Sequence, residues 1–248
     1  MDTPFKRHNR YSTQAVWTRE IRRYLLSKCQ PPPKRTLDVG CGTGAVTADL
    51  PGQVYGMDIL YNDLQYAGEV SSGPRYLAAD AYKIPFAPDT FDLVCCHFLL
   101  LWLKEPQNVL FEMTRVLKPD CRLILFAEPD YGGRIDFPYP LADLGQLQKM
   151  SLRNQGCDPE IGRKLCSMLI ASGLDNIETG VIGGEWKADY SLPKGFASEW
   201  DTLLSDLQSA LSPQETAFYT ELDRTAWLEG TRVLYVPTFY AAGKKPLY

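Results

Sequence analysis

The sequence predicts an α/β fold built on an open, mostly parallel sheet. Stretches of strand-forming residues alternate with stretches whose apolar residues recur at helical spacing, a pattern that implies parallel pairing with right-handed crossovers. A glycine-rich turn directly follows the first of these strands. The 248 residues, of which 45% are hydrophobic and 23% charged, suit a folded domain and not a disordered chain.

Composition limits the classes of protein to consider. The chain has no run of about 18 apolar residues, so we expect no membrane-spanning helix. The polar start, residues 1–10, lacks the apolar core of a signal peptide. The seven cysteines include no C-x-x-C pair, which argues against a zinc site or a disulfide framework and predicts reduced thiols. We therefore expect a cytoplasmic protein without a metal.

Charge is distributed unevenly along the chain. The formal net charge is −4, yet residues 1–35 hold nine lysines and arginines against two acidic residues. Such an asymmetry attracts anionic substrates or RNA. A solvated helix face followed by a basic tail is the favoured explanation at this stage.

The glycine turn within residues 36–50 is the best candidate for a ligand site. Gly40, Gly42 and Gly44 can take positive φ and let a ligand approach the backbone. Gly40, Gly42 and Ala45 also satisfy the G-x-G-x-x-G/A pattern of dinucleotide-binding proteins. The turn by itself therefore leaves two kinds of nucleotide-like cofactor open.

Asp38 separates these two cofactors. A carboxylate two residues before the first glycine repels phosphates and attracts an ammonium group. S-adenosylmethionine carries an ammonium and a sulfonium and has no phosphate. With Asp38 the stretch resembles motif I of the class I S-adenosylmethionine-dependent methyltransferases, whose pattern is acidic-x-Gly-x-Gly-x-Gly.

A second stretch strengthens this resemblance. Asp80 ends a predicted third strand, and residues 84–94 are similar to the loop that leads into the fourth strand in that family. The resemblance covers about residues 12–130. It implies a Rossmann-like, seven-stranded, mostly parallel sheet with helices on both faces, a helical lid, and an antiparallel last strand between the fifth and sixth strands. Asp120-Cys121 stands where the family commonly has two glycines, far from the ligand edge.

The individual elements follow from caps, breakers and periodicity. Predicted strands cover 36–39, 54–59, 75–79, 92–97, 121–127, 177–186 and 232–242. Predicted helices cover 12–29 from an N-cap at Ser12, a short segment up to Leu50, a segment from Pro106 to Leu117, 139–155, 159–172, and two helices in 193–230, the second with a capping box at 212–215.

We expect one methyltransferase domain over residues 1–248, made of four parts. They are an N-terminal cap helix in 1–35, a cofactor-binding core in 36–130, substrate-side helices with strand six in 131–230, and the final strand in 231–248.

Residues at the strand ends are the candidate cofactor ligands. Asp58 ends the second strand 18 residues after Gly40, where a carboxylate accepts hydrogen bonds from ribose hydroxyls. The resemblance assigns Asp80 to the adenine amino group and the Ala81 amide to the ring. The complete predicted set is Tyr11, Asp38, Gly40, Cys41, Gly42, Asp58, Ile59, Asp80, Ala81 and His97.

Catalytic and acceptor-binding residues are harder to predict, because methyl transfer needs mainly alignment and a base only where the acceptor must lose a proton. His97 is the chemically best base, and Glu128 and Tyr131 are further candidates. Glu128, Tyr131, Trp102 and Arg134 are the expected substrate-facing residues. If Trp102, Trp186, Trp200 and Trp227 line the pocket and are not core residues, the acceptor is flat and apolar.

The predicted activity is methyl transfer from S-adenosylmethionine to an O, N or C atom of a small molecule, of the broad kind found in ubiquinone and menaquinone biosynthesis. A tRNA-modifying methyltransferase is the alternative suggested by the basic N-terminus. A cofactor-binding protein without transferase activity, or one that catalyses a rearrangement, is a further alternative, and a dehydrogenase is the third.

Overall fold

The computed structural model describes residues 3–184, 188–208 and 210–247. The strands in these residues are β1 (Arg35–Val39), β2 (Gln53–Asp58), β3 (Arg75–Ala78), β4 (Phe91–Cys96), β5 (Leu117–Pro129), β6 (Ile135–Phe137), β7 (Asp175–Ile182), β8 (Val233–Tyr235) and β9 (Thr238–Lys244). The α-helices are α1 (Pro4–Trp17), α2 (Arg19–Ser27), α3 (Tyr61–Val70), α4 (Pro106–Val116), α5 (Pro140–Asn154), α6 (Leu165–Ala171), α7 (Phe196–Leu207) and α8 (Pro213–Leu228).

The central sheet confirms the predicted α/β architecture. Its seven strands run in the order β3-β2-β1-β4-β5-β9-β7. The first five strands in this order, β3, β2, β1, β4 and β5, pair in parallel, and β9 is antiparallel to both of its neighbours. The chain moves outward from β1 to β3 and returns on the other side of β1 as β4. Ligands of open α/β sheets bind at such a reversal, beyond the carboxyl ends of the strands.

Apolar clusters cover both faces of the sheet. On one face Val109 and Met113 of α4 and Leu165 of α6 pack in a cluster with Leu37 and Leu123 of the sheet. The second cluster packs Leu25 of α2 with sheet residues that include Ile124 and Phe126. These side chains point alternately to the two faces, which fixes the register of the central strands.

A third cluster forms the predicted helical lid. Leu141 and Leu144 of α5 pack against Trp200 and Leu207 of α7, with Tyr219 of α8 at the edge. A two-stranded sheet of β6 and β8, which sequence analysis missed, lies in the same part of the chain. The lid therefore has an apolar core of its own.

The N-terminal segment differs from the prediction of one helix over 12–29. The first helix begins at Pro4, where Thr3 caps it by accepting a hydrogen bond from the Lys6 amide at 3.3 Å. The segment is divided at Thr18, since α1 ends at Trp17 and α2 begins at Arg19. The Thr18 hydroxyl donates a hydrogen bond to the carbonyl of Gln14. The capping signal at Thr3-Pro4 is therefore the true helix start, and Ser12 lies inside α1.

Three other boundaries differ. After the glycine turn there is a single 3-10 turn, Thr47–Asp49, and no longer helix. The helix predicted over 159–172 is shorter, since α6 starts only after a 3-10 turn at Gly162–Lys164. The last predicted strand splits into β8 and β9, because Pro237 has no amide to donate. Residues 185–187, at the end of the predicted sixth strand, lie outside the described residues, and with them Trp186.

The described residues contain no helix that is long and apolar enough to cross a membrane.

Candidate cofactor and acceptor sites

The glycine turn follows β1 and is hydrogen-bonded to the carboxyl end of β2. The amides of Gly40 and Cys41 both donate to the Met57 carbonyl, at 2.8 and 3.0 Å. Gly40 has φ +71° and Gly44 has φ +77°, and a Cβ at Gly44 would lie 2.5 Å from the Tyr76 hydroxyl. Glycine is therefore required at these two positions by both conformation and space.

The carboxylate of Asp58 connects the glycine turn to the loop that follows β2. One oxygen accepts the Gly42 amide at 2.8 Å, and the other accepts the Leu60 amide at 2.9 Å. A carboxylate has about four acceptor sites, so each oxygen retains capacity for a further donor. Asp58 thus organises the turn while it faces the space in front of it.

This space is a cavity of about 620 Å³ beyond the carboxyl ends of β1, β2 and β4, which we call the edge cavity. Eight of the ten predicted cofactor residues line it, namely Tyr11, Asp38, Gly40, Cys41, Gly42, Asp58, Ile59 and His97. Asp80 and Ala81 do not line it. The Asp80 carboxylate accepts the Tyr82 amide at 2.9 Å and closes its own turn.

The charges on this wall favour a cation over a phosphate. Asp38, Asp58 and Asp206 line the edge cavity, as does Asp63, whose charge is balanced by Arg7, whereas among the described lining residues Arg10 is the only arginine or lysine. Burial raises the pKa of Asp38 to about 7, against the opposing effect of a hydrogen bond from the Thr47 hydroxyl at 2.6 Å. A positively charged ligand would restore the ionised form of Asp38.

The helix α1 lies across the edge cavity. Arg7 donates to both carboxylate oxygens of Asp63, a fully buried residue of α3. His8 Nδ1 lies 3.1 Å from the Thr43 hydroxyl, next to the glycine turn. These contacts hold the N-terminal segment down over the cavity.

Loss of the Arg7–Asp63 pair should loosen this cover. We expect Arg7→Met to speed amide hydrogen exchange in α1 by roughly tenfold or more, because the buried Asp63 carboxylate loses its partner. Arg23→Met is the matched control, since Arg23 pairs with Glu20 at the surface. Equal exchange rates in the two variants would show that the pair does not hold α1.

His97 lines the edge cavity but is engaged by the protein. Its Nε2 lies 3.0 Å from the hydroxyl of Thr18, which also accepts from Arg22. Burial, with a smaller effect from Arg22, lowers the pKa of His97 to about 3. An imidazole with this pKa is a weak base at neutral pH. The geometry therefore favours His97 as a neutral wall residue that anchors the start of α2.

Glu128 requires a correction, because its side chain points into the interior and lines neither this cavity nor the one described below. It is fully buried and accepts the amides of Leu99, Leu100 and Leu101 at 2.8, 2.8 and 3.2 Å. The positive φ of Phe98, +55°, turns the chain at this point. Glu128 thus caps the segment after β4 and does not face substrate.

The environment of Glu128 predicts a pH effect on stability. Burial raises the pKa of this carboxyl to about 7 from an ordinary 4.5, although the three amides oppose the shift. The unfolded chain loses the proton first as pH rises, so the free energy of unfolding falls between these two values, by about 3 kcal/mol.

Glu128→Gln should remove this contribution, because glutamine has no proton to lose. Urea unfolding at pH 5 and pH 8 should show a decline that is smaller by about 3 kcal/mol than in the wild-type protein. The decline due to Asp38, whose pKa is also raised, remains in the variant. Glu69→Gln at the surface is the control, and an unchanged decline in Glu128→Gln would contradict the prediction.

A second cavity, of about 370 Å³, lies under the lid, and we call it the lid cavity. Tyr131 and Arg134 line it, as do Trp200 and Trp227. Trp102 lines the edge cavity instead, with 53% of the residue exposed. The lid cavity also takes in Trp17, Phe196, Leu203 and Val236, so its wall combines aromatic and aliphatic side chains with polar ones such as Glu199.

Arg134 does not present an open guanidinium to this cavity. It donates to Asp136 at 2.6 Å and also to the side-chain carbonyl of Gln148. Because protein groups already bind this guanidinium, it is poorly placed to pair with an anionic group of a substrate. Arg134 instead connects the small sheet to α5.

The two cavities share part of their wall. The common residues are Arg10, Gln14, Tyr131, Thr202 and Asp206. Sequence analysis predicted only Tyr131 among them. The other four form two polar pairs at i, i+4 spacing, on α1 and α7, so each pair lies on one helix face. The i, i+4 spacing of these polar residues is visible in the sequence, but it does not identify a cavity wall, because a solvated helix face has the same spacing.

Comparison with known proteins agrees with this geometry. Residues 37–125 match the family model described as a methyltransferase domain. The chain is 36% identical over 124 residues to a demethylmenaquinone methyltransferase of Renibacterium salmoninarum, covering 46% of this chain and 51% of that protein. It is 31% identical over 170 residues to an uncharacterized methyltransferase of Schizosaccharomyces pombe, covering 62% and 61% of the two chains. The chain thus spans about half to three fifths of the length of these relatives.

The fold extends the similarity beyond the matched segment. A SAM-dependent methyltransferase structure from Thermotoga maritima superimposes with a TM-score of 0.56 at 16% identity, covering 98% of both chains. The superposition shows that the two chains share an α/β fold. Residues 37–125, which hold the glycine turn, match the methyltransferase domain family, in agreement with the resemblance of this stretch to the class I S-adenosylmethionine-dependent methyltransferases.

S-adenosylmethionine, the cofactor of this family, fits the edge cavity. The volume lies within the range of about 300–1,000 Å³ that is usual for small-molecule sites. The excess of carboxylates over cationic groups suits an ammonium and a sulfonium and disfavours the pyrophosphate of a dinucleotide.

Proposed function

We propose that this protein transfers the methyl group of S-adenosylmethionine to a small molecule bound in the lid cavity. The observation that supports the proposal is the wall shared by the two cavities, because an acceptor bound in the lid cavity would then lie next to a cofactor bound in the edge cavity. When bound, the cofactor supplies a methyl group activated by its sulfonium. The protein contributes alignment and the exclusion of water.

The edge cavity assigns the binding roles within this proposal. Asp58 would accept the ribose hydroxyls, and Asp38 would face the ammonium of the cofactor. The backbone from Gly40 to Gly42 would pack against the ligand, with Ile59 at the adenine end. Tyr11 and His97 would close the remaining sides. Asp80 and Ala81 stay a prediction for the adenine, at a point outside the lined wall.

The lid cavity favours a flat, apolar acceptor. Trp17, Trp200, Trp227 and Phe196 supply rings for contact with such a molecule. Tyr131, whose pKa burial raises, lies between this cavity and the edge cavity. The quinone-methylating relative fits the same class of acceptor, and the atom that is methylated, O, N or C, is left to the experiment.

The proposal also gives each part of the chain a task. Residues 1–35 cover the cofactor, 36–130 bind it, 131–230 bind the acceptor, and 231–248 complete the sheet. The seven cysteines are free thiols in the structure, which supports the cytoplasmic location proposed from the sequence.

Transfer to a metabolite can be tested directly. The protein, incubated with methyl-labelled S-adenosylmethionine and a small-molecule extract, should place the label in an apolar aromatic compound. A protein that only binds the cofactor, or that catalyses a rearrangement, would bind it and leave every compound unlabelled. That result would remove the proposed transferase activity while leaving the binding site intact.

The structure weakens the case for a tRNA substrate. Among the described residues, at least four of the nine basic side chains in residues 1–35 are in ion pairs, namely Arg7, Arg22, Arg23 and Lys28. Salt-dependent binding of tRNA would nevertheless revive that alternative, and its absence would remove it.

A further inference from the structure

Asp206 of α7 is a titratable residue at the junction of the two cavities. Its half-buried side chain lines both of them. Burial raises the pKa of this carboxyl, while Gln148, Arg10 and Arg134 oppose the shift. The match to the methyltransferase domain model ends at residue 125, well before this part of the chain.

A chain of hydrogen bonds fixes the direction of this carboxyl. Gln148, which is 5% exposed, donates from Nε2 to Asp206 Oδ2 at 2.8 Å. The other end of the Gln148 amide accepts from Arg134, so the amide can present only its NH₂ to the carboxyl. Gln155 donates to the backbone carbonyl of Asp206 at 2.7 Å and holds the main chain as well.

The Asp206 carboxyl still has acceptor capacity after these bonds are made. Gln148 occupies one site on Oδ2, and a carboxylate offers about four. The charged or titratable groups near Asp206 include Arg10 of α1, Arg134 before β6, Tyr131 after β5, and Cys157 after α5. Arg134 is itself neutralised by Asp136 at 2.6 Å. Glu199, Asp223 and Arg232 also line the lid cavity, and Asp223 and Arg232 pair with each other. Between the aromatic rings of this cavity, a carboxylate acceptor favours a ligand that donates a hydrogen bond.

We propose that Asp206 is the acceptor-selecting residue: its carboxylate receives a hydrogen bond from an O–H or N–H on an otherwise flat, apolar molecule in the lid cavity. Gln148 is the positioning residue that aims it. This inference rests on the proposed function, since it concerns the acceptor half of the same site. It distinguishes hydrogen-donating aromatics, such as phenols and aryl amines, from hydrocarbons of the same shape.

Two probes of similar size test this selection without any turnover. The full chain is saturated with S-adenosylhomocysteine and titrated by calorimetry with 2-naphthol and with 2-methylnaphthalene. We expect the wild-type protein to bind 2-naphthol roughly tenfold more tightly, since a hydrogen bond to a charged group is worth about that factor. Asp206→Leu should reverse the preference in favour of the hydrocarbon, because the hydroxyl then loses its water without a partner.

Two further variants separate selection from a purely structural role. Gln148→Leu should keep Asp206 but lower the preference for 2-naphthol to about threefold, since the carboxyl is no longer aimed. Asp201→Asn, an exposed position on the same helix, should leave the preference unchanged. A structural role alone would shift the thermal stability and leave the ratio of the two affinities the same in all variants.

The outcomes that overturn the inference are distinct from failure of the proposed function. Equal affinity of both probes for the wild-type protein, or no binding of either, overturns it. So does tighter binding of 2-naphthoate that is lost in Arg10→Ala, because the lid cavity would then select an anion. Failure of the proposed function would appear separately, in the labelling experiment, as a protein that binds S-adenosylmethionine and leaves every compound unlabelled, or as a protein that does not bind the cofactor at all.

Discussion

Asp58→Ala should weaken the binding of S-adenosylhomocysteine about 100-fold. Its carboxylate carries two tasks, since it holds the Gly42 and Leu60 amides and faces the proposed ribose position. Each hydrogen bond to a charged acceptor contributes about 1.5–3 kcal/mol, so the loss of two ribose hydroxyls accounts for the expected factor. Isothermal titration calorimetry measures it directly.

Graded variants show which task dominates. Asp58→Asn retains a carbonyl oxygen as an acceptor and should lose about tenfold in affinity, because one acceptor and the charge are missing. Asp175→Ala, an exposed strand-end residue at the start of β7, should bind like the wild-type protein. Thermal unfolding of the ligand-free variants reports any disturbance of the glycine turn. Wild-type affinity in Asp58→Ala would contradict the assignment of this site.

The cofactor side could be predicted from sequence because its chemistry is local. Asp38, Gly40 and Gly42 lie within one turn, and their order alone constrains the backbone and the sign of the ligand's charge. Asp58 needs only the assumption that β1 and β2 are parallel neighbours, which the structure confirms. Short-range patterns and one topological rule therefore suffice to bring these four residues to the edge cavity.

Glu128 shows where such reasoning fails. Its place at the end of β5 is correct, and the end of a parallel strand is the right place for a functional residue. The direction of its side chain depends on the amides of residues 99–101, on a different loop, and on the positive φ of Phe98. No pattern in the sequence near Glu128 contains that information.

The lid shows a second reason. Asp206 and Gln148 belong to helices whose mutual packing is decided by an apolar cluster separate from the sheet. Their sequence spacing is that of ordinary surface residues, and the hydrogen bond between them joins positions 58 residues apart. Only tertiary structure distinguishes this pair from solvated side chains.

The largest effect on stability is expected from Arg232, which joins the small sheet to α8. Its side chain is 3% exposed and donates to Asp223 of α8 and, at 2.9 Å, to Asp136 of β6. The Trp200 indole donates to the same Asp223 at 2.9 Å. Removal of this guanidinium leaves two buried carboxylates short of a partner.

Arg232→Ala should therefore lower the free energy of unfolding of the lid by about 3–5 kcal/mol, the usual cost of breaking a buried ion pair on one side. Urea unfolding followed by tryptophan fluorescence reports it, because Trp200 lies in the affected cluster. Arg224→Ala on α8 is the matched control, since Arg224 pairs with Glu221 at the surface, and it should change stability by less than about 0.5 kcal/mol.

The same variant should leave the cofactor site nearly intact. The residues that line the edge cavity come mostly from the sheet edge and α1, and Arg232 lines only the lid cavity. Affinity for S-adenosylhomocysteine should thus fall by less than about threefold, while the 2-naphthol preference is lost together with the lid packing. A change of less than about 1 kcal/mol in Arg232→Ala would show that the buried ion network does not hold the lid, because breaking a buried pair costs several times more. If affinity for S-adenosylhomocysteine fell as strongly as the 2-naphthol preference, the lid and the cofactor-binding core would be coupled and not independent.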